Sequence, residues 1–241
     1  PTDWPANSIM SGLVRFTPRG DILPDLAESW SISADGLTYT FNLVKNATWH
    51  DGKKFTSADV KFTIEKVTRP YNAYAGITWA NVASVDTPDD YTVVIRRTKP
   101  MVTWLNFLTT EQYFGVYPKH LYEGTDIKNN PYNLKPVGTG PFMFESWVQG
   151  QYISLVRNPN YFRKGLPYLD RIVNRIIPDA TSRALAMEKG EIQYLYSTYT
   201  VALSDAVALS QKPNIGMMFT GGEAASTMQH LVFNFRRDFV K

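Results

Sequence analysis

A mixed α/β fold, of the α+β kind, is predicted by three features of this 241-residue chain. Two runs, Leu37 to Val44 and Tyr91 to Arg97, are rich in β-branched and aromatic residues and alternate with the period of a half-buried strand. Val60, Ile64 and Val67 recur on one helical face, and a second helix is bounded by Asp179 and by Gly190 just past Lys189. At 44% hydrophobic and 20% charged residues the composition is that of a soluble globular protein. No uninterrupted apolar run is long enough to cross a bilayer.

In chain order, the strand Leu37 to Val44 leads to Trp49-His50-Asp51-Gly52, where Asp-Gly supplies the positive φ of a tight turn. Thr56 with Asp59 three residues on has the pattern of a capping box opening the first helix. Thr87-Pro88-Asp89-Asp90 reads as a turn before the strand Tyr91 to Arg97, and Met101 to Leu108 as a short helix after Pro100. From Gly115 to Pro136 the prolines, Gly124 and several asparagines predict loops and a domain crossing. Beyond it strands are predicted at Phe142 to Val148, Tyr152 to Arg157 and Ile172 to Ile177, followed by the helix Asp179 to Lys189. A strand at Gln193 to Tyr196, a helix around Val201 to Ser210, and strands at Ile215 to Phe219 and Leu231 to Phe235 end the pattern. No internal repeat is present.

Charge argues against nucleic acid. Lys plus Arg at 25 against Asp plus Glu at 22 gives +3, with the signs interspersed, whereas phosphate binding wants clustered cations. With no cysteine there is neither a disulfide nor a thiolate metal site. His50, His120 and His230 lie far apart in sequence, without metal-ligand spacing. There is no nucleophile elbow, and Gly138-Thr139-Gly140 precedes Pro141 and a strand rather than the helix a phosphate loop must open. His50 and Asp51 are read as a structural turn. No cofactor is expected. Tyr194, Tyr196 and Tyr199 follow the Gly190-Glu191 turn, where an α/β fold tends to place a ligand crevice; the alternative is that they are core or surface residues.

Several long motifs in one order then carry a family resemblance. Pro24-Asp25-Leu26-Ala27-Glu28-Ser29-Trp30, Asp35-Gly36-Leu37-Thr38-Tyr39-Thr40-Phe41, Trp49-His50-Asp51-Gly52 and Thr56-Ser57-Ala58-Asp59-Val60 resemble the family 5 extracellular solute-binding proteins. Val137-Gly138-Thr139-Gly140-Pro141-Phe142, Arg157-Asn158-Pro159-Asn160-Tyr161-Phe162 and Gly190-Glu191-Ile192 continue the likeness, which runs from about Gly12 to Asn234. Gln193 stands where the family usually has an aspartate, and Phe235 to Lys241 lack the Pro-Phe-Asp-Asp segment that tends to follow.

The resemblance implies part of a two-lobed periplasmic binding protein. Residues 12–136 would be a small inserted domain, and 137–241 with 1–11 part of the first ligand-binding lobe. Family members are longer, so the chain is expected to be incomplete as a functional unit and to bind ligand weakly or not at all alone. The implied function is non-enzymatic capture of a peptide or similar small polar ligand by lobe closure, as the substrate-binding component of an ABC importer. An oligosaccharide, opine or metal chelate is the alternative ligand, a hydrolase or a chaperone-like surface protein the rival function. A monomer is expected, partnered by a membrane permease, in the periplasm or otherwise outside the cytoplasm, with the signal peptide absent from this chain. Carried over motif by motif, Tyr196, Ser197, Thr227 and Gln229 would face the ligand, with Tyr74 or Trp79 added from the loop after Pro70. Tyr196 as scaffold and Thr227 as a plain loop residue remain the competing assignments. For a sugar, Trp79 or Trp104 would supply stacking.

Overall fold

Alternation of buried and exposed residues produces two separate antiparallel sheets, apart from a short hairpin of β1 (Val14–Phe16) and β2 (Ile22–Pro24). The computed structural model describes residues 7–17, 19–72, 75–110, 114–195 and 201–216. The larger sheet contains β3 (Ala27–Ile32), β4 (Thr38–Leu43), β5 (Val82–Asp89) and β6 (Thr92–Arg97) in the order β3-β4-β6-β5. Tyr39, Phe41 and Leu43 of β4 point with Val93 and Ile95 of β6 into one core, the face that period-two alternation demands. Trp49, Phe55, Trp79, Trp104 and Phe114 fill the same core, which the first helix closes with Val60 and Ile64.

That helix begins as α1 (Ser57–Phe62), widens to π-helical turns over Thr63–Thr68 and ends in a short turn at Arg69–Tyr71. The predicted face is buried: Val60 and Ile64 are at 0% exposure and Val67 at 8%. The widening itself carries no periodic signal in the sequence. The Thr63 hydroxyl donates to the Asp59 carbonyl at 2.8 Å and accepts the Tyr117 N–H at 2.8 Å, so a side chain competes for the helix's own acceptor.

β5 is a strand that sequence reading passed over. Pro88, read as part of a turn, lies within it, which is possible because β5 is an edge strand and its register shifts between Asp86 and Asp89. The segment read as loop from Gly115 to Pro136 contains α2 (Lys119–Tyr122) and two single 3₁₀ turns. Tyr122 packs there with Phe62 and Val67 of the first helix, so the segment is held against the larger sheet's helix.

The smaller sheet, β7 (Phe142–Val148), β8 (Tyr152–Arg157) and β9 (Arg171–Arg175), follows the predicted strands closely. Its own core is small: Phe142 and Leu155 close on Ile9 from the helical turn at 7–9. α3 (Ala180–Glu188) starts at Asp179, whose carboxylate accepts the Ser182 N–H at 2.7 Å, and it packs on α4 (Leu203–Ser210) with a Glu188–Lys212 ion pair. Residues 193–195 are not the strand expected there. The Glu191 and Ile192 N–H groups are spent on the Ala186 carbonyl, and the Gln193 amide bonds the Gly190 carbonyl, which ties the chain to the helix end. Beyond Gly216, the remainder of the strand expected at Ile215 to Phe219 and all of Leu231 to Phe235 lie outside the described residues.

Candidate functional site

Of the residues carried over as ligand-facing, Tyr74, Tyr196, Ser197, Thr227 and Gln229 lie outside the described residues. Trp79 is described, and its assignment needs correction. It is 1% exposed, its ring stacked on Phe114 at 5.2 Å and edge-on to Trp104 at 5.5 Å. Trp104 is buried too, its indole N–H bonded to the Thr78 carbonyl at 3.1 Å and its ring under the Arg97 guanidinium. Both rings are core aromatics with no face presented to a ligand. Tyr194, by contrast, is 64% exposed just past α3.

The quoted motifs come together elsewhere, at the joint between the two sheets. The Asp51-Gly52 turn forms as predicted, with Gly52 at φ +86° and its N–H on the Trp49 carbonyl. His50 leaves this turn toward the Gly138–Gly140 segment. Its backbone N–H donates to the Gly138 carbonyl at 2.9 Å, its Nδ1 lies 3.2 Å from the Gly138 N–H, and its Nε2 lies 3.0 Å from the Gly140 carbonyl. An N–H donor facing Nδ1 requires a bare nitrogen there, so the proton is on Nε2 and the ring is neutral. Burial pushes the His50 imidazole below its ordinary pKa, against the opposing pull of the Gly140 carbonyl and Asp51.

On its other side the glycine segment meets the turn at 7–9. The Gly140 N–H donates to the Ile9 carbonyl at 2.8 Å, and a Cβ on Gly138 would stand 1.9 Å from that same oxygen. Only glycine permits this approach. Asn158 completes the arrangement, its amide donating to the Gly140 carbonyl at 3.0 Å and its backbone N–H to the Pro141 carbonyl at 2.9 Å. Two further links cross the joint: Asn46 donates to the Phe162 carbonyl at 2.9 Å, and Arg163 donates to the Pro24 carbonyl at 2.9 Å and to Asp25 at 2.7 Å.

The second described histidine is likewise bound up in structure. His120 Nε2 lies 2.6 Å from the Asp51 carboxylate, beside a depression lined by Lys53, Lys54, Thr56, Lys119 and Glu123. Burial acts to raise the Asp51 pKa, but the His120 hydrogen bond and the Lys53 N–H outweigh it and hold the carboxyl below its usual range. Among the described residues no group of three or more His, Cys, Asp or Glu is placed to hold a metal ion. The geometry is that of a hydrogen-bonded connector between the two sheets.

Comparison with known proteins gives this fold its context. A sequence model of the bacterial extracellular solute-binding proteins, family 5 Middle, matches residues 21–241. The chain belongs to this family. It is 40% identical over 184 residues, 73% of this chain and 33% of the relative, to a Brucella ovis protein provisionally named an ABC transporter peptide-binding protein. Among solved structures it is similar to DppA of Helicobacter pylori in complex with the peptide STSA, with a TM-score of 0.74 at 32% identity over 86% of this chain and 44% of that one. NikZ of Campylobacter jejuni in complex with Ni(L-His) gives a TM-score of 0.71 at 34% identity, over 77% of this chain and 37% of that one. The chain thus spans about a third of the length of the Brucella relative. The fold of this chain is mixed α/β and matches part of a periplasmic binding protein, and the family is one of binding proteins rather than enzymes.

Proposed function

We propose that this family 5 chain is part of the substrate-binding component of an ABC importer and that its ligand is a peptide, captured outside the cytoplasm by closure of two lobes. The observation that carries the reading is the likeness to the Helicobacter pylori peptide complex, which extends over 86% of this chain. In this reading residues 12–136 act as a small inserted domain and 137–241 with 1–11 as part of the first lobe, and the full-length protein works as a monomer delivering ligand to a membrane permease. Tyr196, Ser197, Thr227 and Gln229, with Tyr74 in support, are its ligand-facing residues. Hydroxyl and amide groups bond a peptide backbone without reading its side chains, and a Tyr ring adds apolar contact at low entropic cost. Trp79 has no part in it, being buried.

A metal chelate is the second reading, favoured by the likeness to NikZ. Calorimetry on the full-length protein with the tetrapeptide Ser-Thr-Ser-Ala, a mixed tetrapeptide pool and the nickel–L-histidine complex separates the two. Peptide binding that weakens at least about tenfold, or 1.4 kcal/mol, in Tyr196→Ala or Gln229→Ala is expected. Binding of the nickel complex alone overturns the peptide reading, and peptide affinity unchanged in both variants overturns the residue assignment.

A further inference from the structure

The joint between the sheets contains a titratable group at its centre. We infer that His50 is a pH-operated staple that clamps the Gly138–Gly140 turn to the larger sheet's side while its ring is neutral and lets go when both ring nitrogens carry protons. The inference stands on the geometry of the joint and is independent of which ligand the full-length protein takes.

Three bonds join one residue to one turn: the His50 N–H to the Gly138 carbonyl, the Gly138 N–H to Nδ1, and Nε2 to the Gly140 carbonyl. The second of these fails on protonation, because a proton on Nδ1 puts two N–H groups face to face. The turn has little room to adjust around such a clash. Ile9 presses on Gly138 and Gly140 from the other side, and Asn158 holds the Gly140 carbonyl as well. A proton on His50 is therefore accommodated by opening the contact with the turn.

The charges around the ring leave it poised for this. Asp51, the next residue, favours the protonated form, but its carboxylate is engaged by His120 and by the Lys53 N–H. Asp59 bonds the indole of Trp49 on the preceding residue. The glycine turn from Val137 to Pro141 and the turn at 7–9 bring no ionisable side chain. With burial lowering the folded pKa below that of a free imidazole, the staple is fully formed above about pH 6.5 and is lost as pH falls through the lower folded value.

The test uses full-length protein with ¹⁵N-labelled histidine. Imidazole ¹⁵N shifts are expected to show the proton on Nε2 at about pH 7.5, and His50 to titrate below the free-imidazole range while the fold is intact. Over the same range, exchange protection of the Gly138 amide, corrected for intrinsic exchange, should fall at least about tenfold. His50→Asn keeps an acceptor near the Nδ1 position and cannot titrate, so its Gly138 protection should not change with pH. A ring that stays neutral until the protein unfolds, a proton found on Nδ1 at neutral pH, or His50 titration with Gly138 protection unchanged overturns the staple. Should His50→Asn fail to fold, the wild-type titration and exchange data decide alone.

Discussion

Gly138 is a glycine because of Ile9, and that dependence gives the sharpest prediction at the scale of single residues. Gly138→Ala would place a methyl 1.9 Å from a backbone oxygen, where nothing flexible can yield. We expect a loss of about 3 kcal/mol or more, read as a lower urea midpoint with an unchanged m-value. The local half of this joint is legible in the sequence: Asp51-Gly52 announces its turn, and no metal-ligand spacing surrounds His50. Its other half is not. The partner of His50 lies 88 residues away in sequence, and a contact at that distance leaves no periodic trace in either segment. Trp79 shows the same limit from the opposite side. Its neighbours read from the sequence as a loop after Pro70, whereas the fold winds Ala75–Trp79 into a π-helical turn and brings Phe114 and Trp104 against its ring.

At the scale of elements, the first helix depends on one carboxylate. Asp59 accepts the Thr56 N–H at 2.9 Å, the Lys119 N–H at 2.9 Å and the Trp49 indole N–H at 3.4 Å. It thus fastens the helix start, α2 and the core at one point. Asp59→Ala strips all three donors of their acceptor, so we expect about 2–3 kcal/mol, more than the roughly 1 kcal/mol of a lost cap alone. Urea unfolding of Asp59→Ala beside Asp51→Ala, which loses an exposed pair, gives the comparison. The Thr56 to Asp59 spacing revealed the cap, whereas the two remote donors were hidden from it. β5 escaped notice for a related reason: Val82 to Asp89 carries Pro88, and propensity counts that proline against a strand without knowing that it sits at an edge.

At the scale of the molecule, among the described residues few polar links tie the two sheets, and Arg163 to Asp25 has charge on both sides. Asp25 is 9% exposed and also accepts the Gly12 N–H at 3.2 Å. Arg163→Ala removes a cation paired with a nearly buried carboxylate and is expected to cost about 2–4 kcal/mol. The double variant with Asp25→Ala should lose clearly less than the sum of the singles, a coupling of about 1 kcal/mol or more in a double-mutant cycle. Additivity would mean that the pair does not join the sheets energetically. The joint also bears on how such proteins are told apart. Its named residues, Asp25, His50, Gly138, Gly140 and Asn158, bond mostly to main-chain groups, so none of these contacts reads a ligand. A signature drawn from them is expected to sort chains by architecture and to say nothing of cargo.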